Sequence, residues 1–116
     1  MAKTTVQSEV INGICVLRPN GYVDEKGGTV LVEAAQQALN DGSQKFVINF
    51  SGSPVINSQG IAQIIELAEI IVDEKGGDLG FCGLSELSAG VFKMVGLLQM
   101  GDQYDSENEA LENLSD

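Results

Sequence analysis

The sequence predicts an α/β fold built on a small mixed sheet, and three observations lead there. Two β-branched runs meet at an Asn-Gly pair near the N-terminus, strand-length apolar runs then alternate with helical patterns, and three of those patterns stop at glycine. A hairpin followed by helix, strand, helix, strand and helix requires at least one right-handed parallel crossover. With 116 residues and 43% apolar composition, one core and one domain (residues 1–116) with about four helices is the expected size.

The hairpin rests on "TTVQSEVINGICVLRP", where Asn12-Gly13 suits the positive φ angles of a two-residue turn. After "NGYVDEKGG", residues Val30, Leu31, Ala34, Ala35, Ala38 and Leu39 recur at helical spacing, with Gly42 as the stop. "KFVINF", Lys45 to Phe50, is too short for a helix and apolar on both faces except at Asn49. It reads as a central strand covered on both sides. The clearest helix follows, with Ile61, Ile64, Ile65, Ala68, Ile71 and Val72 on one stripe and Gly76-Gly77 at its end. "DLGFCG" then reads as a short strand, and "SELSAGVFKMVG" as a helix directing Leu87, Val91, Met94 and Val95 inward, with Phe92 off that stripe. Ser106 and Glu109 have capping-box spacing, so a last acidic helix is expected over Glu107 to Leu114.

Charge narrows the range of functions. Six Lys and Arg against 17 Asp and Glu give a net charge of −11, which repels phosphate backbones and anionic lipid surfaces. Nucleic acid and membranes are therefore not expected partners. There is no histidine, and Cys15 and Cys82 lie in apolar runs, so both read as reduced buried hydrophobes and no metal or other cofactor is expected. The N-terminus has no apolar signal segment, and no run approaches the roughly 18 apolar residues of a membrane span. A cytoplasmic protein is the expectation. No G-x-S-x-G, no G-x-x-x-x-G-K and no positioned acid, base or nucleophile is present, which argues against an enzyme.

The stretch from "KFVINF" to "GLLQM" resembles the STAS domain of bacterial anti-sigma factor antagonists. Gly21-Tyr22-Val23-Asp24 is similar to the family's G-x-[LIV]-D, Asn57-Ser58-Gln59-Gly60 stands at its D-S-x-G, and Gly96-Leu97 at its closing G-L. The resemblance implies a non-catalytic switch: the unphosphorylated antagonist binds an anti-sigma factor that is also a serine kinase, frees the sigma factor, and is released when its serine is phosphorylated. Carried onto this chain, that serine is Ser58. The implied partners are the anti-sigma factor/serine kinase and a serine phosphatase; apart from the resemblance, a second copy in a weak homodimer is a further candidate partner. The chain departs from the family at Asn57, where aspartate is usual, and at Asn49, where an acidic residue is common.

Physical chemistry independently makes Ser58 a good place for a charge. The start of a helix offers unpaired amides and partial positive charge, so a phosphate there is compatible with folding while placing nearly two negative charges on a docking surface. Two local readings stand: Ser58 as the N-cap, or Asn57 as the cap with Ser58 in the first turn facing outward. Asp24 reads either as a neighbour of this loop or as the cap of the first helix. The helix wheel adds Gln63, Ile70 and Leu67 to Asp24, Asn57, Ser58, Gln59 and Gly60 as candidate partner contacts; burial of the two apolar ones under another helix is the alternative. Two other functions fit the sequence: a non-phosphorylated scaffold or regulatory subunit in a larger signalling or transport assembly, and nucleotide or small-ligand binding by the amides of "SGSPVINSQG".

Overall fold

A computed structural model describes residues 3–115. The reading of the extreme N-terminus at Met1 and Ala2 lies outside them. Five strands form one sheet in the order β1 (Thr5–Ile11), β2 (Ile14–Asn20), β3 (Lys45–Asn49), β4 (Asp78–Cys82) and β5 (Asp102–Tyr104). β1 and β2 are the antiparallel hairpin, with Ile11 opposite Ile14 across Asn12 (φ 52°) and Gly13 (φ 80°). The other three pairings are parallel, so each needs a helical crossover.

Those crossovers are α1 (Glu25–Asn40), α2 (Ser58–Ala68) and the pair α3 (Glu86–Met94) and α4 (Leu97–Met100). α2 continues as a π-helical turn, Glu69–Glu74, before Gly76 (φ 66°) ends it. α5 (Glu107–Leu114) closes the chain, capped by Ser106, whose Oγ accepts from the Glu109 amide at 3.1 Å. Among the described residues the α-helices thus number five, one more than the sequence suggests. α4 is the addition, a single turn too short to carry periodicity.

Strand alternation divides the core between the two faces. Cys15, Leu17, Phe46, Ile48, Leu79 and Phe81 pack with α1, α2, α3 and α4, while Ile14, Val16, Val47 and Cys82 pack with Ala110 of α5. Both cysteines are free and buried, and burial raises each thiol pKa, that of Cys82 to about 11.

Two helix faces differ from the sequence reading. Leu67, expected at the surface, is fully buried. Gln63 one turn earlier donates to Thr29 Oγ1 at 3.0 Å and to the Glu25 carbonyl at 3.3 Å, so α1 covers that flank and the buried arc of α2 is turned toward it. On α1 itself the stripe is narrower than expected, with Leu31, Ala35 and Ala38 buried and Val30 exposed. The larger correction is α3. Leu87 and Met94 are 80% and 83% exposed, Val95 is exposed as well, and Phe92 is buried. Phe92 meets Phe50 and Phe81 edge-on, with ring centroids 5.6 and 5.2 Å away. That geometry adds a favourable quadrupole term to the large area one aromatic ring buries, and it sets the rotation of a nine-residue helix.

Candidate functional site

The residues that resemble the family's switch lie where two segments run side by side. After β2 the chain continues through 20–24, and after β3 the loop 52–57 runs beside it in parallel, with bridges Asn20–Gly52 and Val23–Ile56. Gly21 N donates to Gly52 O at 3.0 Å, Val23 N to Val55 O at 3.1 Å, and Asn57 N to Val23 O at 3.1 Å. Each segment ends on a helix cap. Asp24 Oδ1 accepts from the Gly27 amide at 2.8 Å, and Asn57 Oδ1 accepts from the Gly60 amide at 2.9 Å. α1 and α2 therefore start as neighbours.

A third helix start joins them. Ser85 Oγ accepts from the Ser88 amide at 3.1 Å and donates to the Pro54 carbonyl at 3.2 Å. Three N-termini, each with partial positive charge, thus border the loop before Ser58. Gly60 explains why this arrangement is tight. A Cβ at that position would stand 2.2 Å from the Val23 carbonyl oxygen, so only glycine lets α2 begin this close to the strand extension.

With Asn57 as the cap, Ser58 occupies the first helical position and is exposed. Its hydroxyl makes no hydrogen bond among the described residues. The other serines of the loop differ. Ser51 Oγ donates to Asn49 Oδ1 at 2.7 Å, and Ser53 is buried with its hydroxyl unpartnered among the described residues. Four of the loop's amides are engaged: Ser51 N with Asn49 Oδ1, Ser53 N with Phe50 O, Asn57 N with Val23 O and Gly60 N with Asn57 Oδ1.

The remaining candidate residues divide by exposure. Gln59 is exposed, Asp24, Asn57, Gln63 and Ile70 are half-buried, and Gly60 and Leu67 are buried. Leu67 is withdrawn from the contact surface for that reason. Apolar surface on the two paired segments comes instead from Val55, 58% exposed, and Tyr22, neither of which the sequence reading offered as a contact. Tyr22 also lines an open cleft of about 570 Å³ beside the α1 cap, with Lys3, Lys26 and Val30. Its position depends on the pairing of 20–24 with 52–57, which no local pattern announces.

Behind the loop, Asn49 has a role of its own. Its Nδ2 donates to Glu107 Oε1 at 3.0 Å, while Arg18 grips the same carboxylate through Nε and Nη2, both at 2.8 Å, and Glu9 through Nη1 at 2.8 Å. Hydrogen bonds from Arg18 hold the Glu107 carboxyl below its usual range, against the opposing effect of partial burial. An aspartate at position 49 would face Glu107 without a proton to share, so the amide fits where a carboxylate would repel. Among the described residues no cluster could hold a metal, and no helix is long and apolar enough to cross a membrane.

Solved structures of the same shape are numerous. An anti-sigma factor antagonist from Mycobacterium paratuberculosis superposes with a TM-score of 0.84 at 20% identity, covering 98% of this chain and 96% of its own. The Bacillus cell fate determinant SpoIIAA in its phosphorylated form gives 0.74 at 20% identity, over 94% and 98%. A sulfate transporter family protein from Wolinella succinogenes gives 0.76 at 18% identity, over 91% and 88%. A search of curated proteins gives no significant match. The STAS domain pattern matches residues 5–110, nearly the whole chain. A five-stranded mixed sheet, a serine at the mouth of its second crossover helix and a family pattern running almost end to end agree: the chain belongs to the STAS domain family.

Proposed function

We propose that this protein is an anti-sigma factor antagonist switched by phosphorylation of Ser58. The observation that carries the proposal is the division of labour at the start of α2: Asn57 supplies the cap, and Ser58 is left exposed with its hydroxyl free. The unmodified chain binds an anti-sigma factor that is also a serine kinase. In the complex the Ser58 oxygen attacks the γ-phosphorus of ATP, ADP leaves, and the hydroxyl proton passes to the kinase. The helix start tolerates the new dianion, because amides and macrodipole both favour it. Docking does not, since the charge must shed its hydration against the partner. A serine phosphatase restores the hydroxyl by hydrolysis, releasing inorganic phosphate. The relatives of the same fold include anti-sigma factor antagonists, one of them in a phosphorylated form, which supports this reading.

The test is to incubate the purified chain with each anti-sigma factor/serine kinase of its source genome and ATP, map phosphate by mass spectrometry, and measure complex formation by calorimetry. Phosphate should appear on Ser58, and Ser58→Asp should bind about a hundredfold more weakly, a difference of about 2.7 kcal/mol. Phosphate on Ser51 or Ser53, or unchanged binding of Ser58→Asp, would overturn the mechanism.

A second reading is a constitutive module of a larger assembly, favoured by the likeness to a sulfate transporter family protein and by Asn57 in place of aspartate. It expects stable complex formation that ATP does not alter.

A further inference from the structure

The third helix presents a surface its own chain does not use. Leu87 and Met94, 80% and 83% exposed, are seven residues apart and so share one side of the helix. Val95, 42% exposed, borders them. A single outward apolar side chain is ordinary, but two on a nine-residue helix with a third at its C-cap form a stripe.

Between Leu87 and Met94 lies Gly90, exposed and equally unexplained within the monomer. Its φ is not positive, and a Cβ added there would meet nothing within 4 Å. The glycine therefore forgoes about 0.5–1 kcal/mol of helix stability without easing any internal contact. Small residues between outward apolar ones allow two helices to cross closely. The charges follow the same centre. Glu86 and Lys93 are exposed, again seven residues apart, and lie together along one flank of the stripe.

We propose that α3 is the contact of a two-fold homodimer in which two copies cross antiparallel over Gly90. Leu87 of each copy then packs on Met94 of the other. In an antiparallel pair the same flank meets the same flank, so each Glu86 faces a Lys93. A parallel pair would set each flank against the opposite flank of the other copy, so Glu86 and Lys93 would not meet. The pattern is thus self-complementary under a two-fold axis, which a second copy satisfies. At −11 per chain the copies repel overall, and the dimer is weak. This inference is independent of Ser58.

Sedimentation equilibrium between about 10 µM and about 1 mM tests it, a range matched to a weak complex. The wild-type chain should show a reversible monomer–dimer equilibrium, and Met94→Ser should raise its Kd at least tenfold while thermal melts show the fold retained. Glu86→Lys and Lys93→Glu should each weaken the dimer, and the double swap should restore it. Were the two charges present only to complement the helix dipole, the double swap would associate no better than either single one. A chain that stays monomeric at the highest concentration, a dimer indifferent to Met94→Ser, or a double swap without restoration each overturns the proposal.

Discussion

The second and third helices pack into the same cluster and are held there in different ways. α2 buries Gly60, Ile61, Ile64, Leu67 and Ala68, and its π-helical extension adds Ile71. α3 buries only Ser88 and Phe92. A stripe of aliphatic side chains, each worth about 1.5–3 kcal/mol when buried, fixes the rotation of a helix and commits its apolar face to the core. One aromatic anchor and a cap bonded to Pro54 hold a helix equally in place and leave its apolar face free for something else.

The largest effect expected from this contrast is at the aromatic anchor. Phe92→Ala should remove about 3–5 kcal/mol of stability, whereas Leu87→Ala, by sequence the better core candidate, should change it by less than about 0.5 kcal/mol. Urea unfolding of the two variants decides it, and comparable losses would mean that α3 is turned the other way.

The glycines of the two helices should respond in opposite directions. Gly60→Ala forces a methyl toward the Val23 carbonyl and should lower stability by about 1–3 kcal/mol. Gly90→Ala meets open space and should raise it by about 0.5–1 kcal/mol. Both are read from chemical denaturation at low protein concentration, where the chain is monomeric.

At the cap of α2, Asn57→Ala should lower stability by about 1 kcal/mol, with Ser58→Ala within about 0.5 kcal/mol of wild type. Equal losses in calorimetry would mean that the serine shares the capping role and is not free.

The smallest effect lies on the other side of the sheet, where α5 is held by an ion pair as well as by burial. Glu107 has a lowered pKa in the folded chain. Its contribution is therefore present above the ordinary value near 4.5 and lost as pH falls through the lowered one. Glu107→Gln should flatten the acid limb of the stability profile, and an unaltered slope would show that the pair with Arg18 adds nothing.

Much of this architecture is readable from residue spacing, and the failures are instructive. Asn12-Gly13 fixes the hairpin, and the isoleucine spacing of α2 fixes a long helix, because each signal is local and strong. The orientation of α3 is not local. Leu87, Val91, Met94 and Val95 reveal a stripe, but whether it faces in or out depends on Phe50 and Phe81, distant in sequence and waiting for a third ring. β5 is three residues, Asp-Gln-Tyr, with no alternation to detect. At the candidate site, the serine and its cap were visible as a motif. The pairing of 20–24 with 52–57 was not, since backbone hydrogen bonds between two irregular segments leave no mark on side-chain pattern.

Arg18 is the only arginine in the sequence, and it already serves two carboxylates, Glu9 and Glu107. A phosphoryl group on Ser58, as proposed above, would therefore find no guanidinium of its own molecule left over to clasp it. Such a mark would stay on the outside, as accessible to an enzyme that erases it as to one that writes it, and the message it carried would be addressed to other molecules.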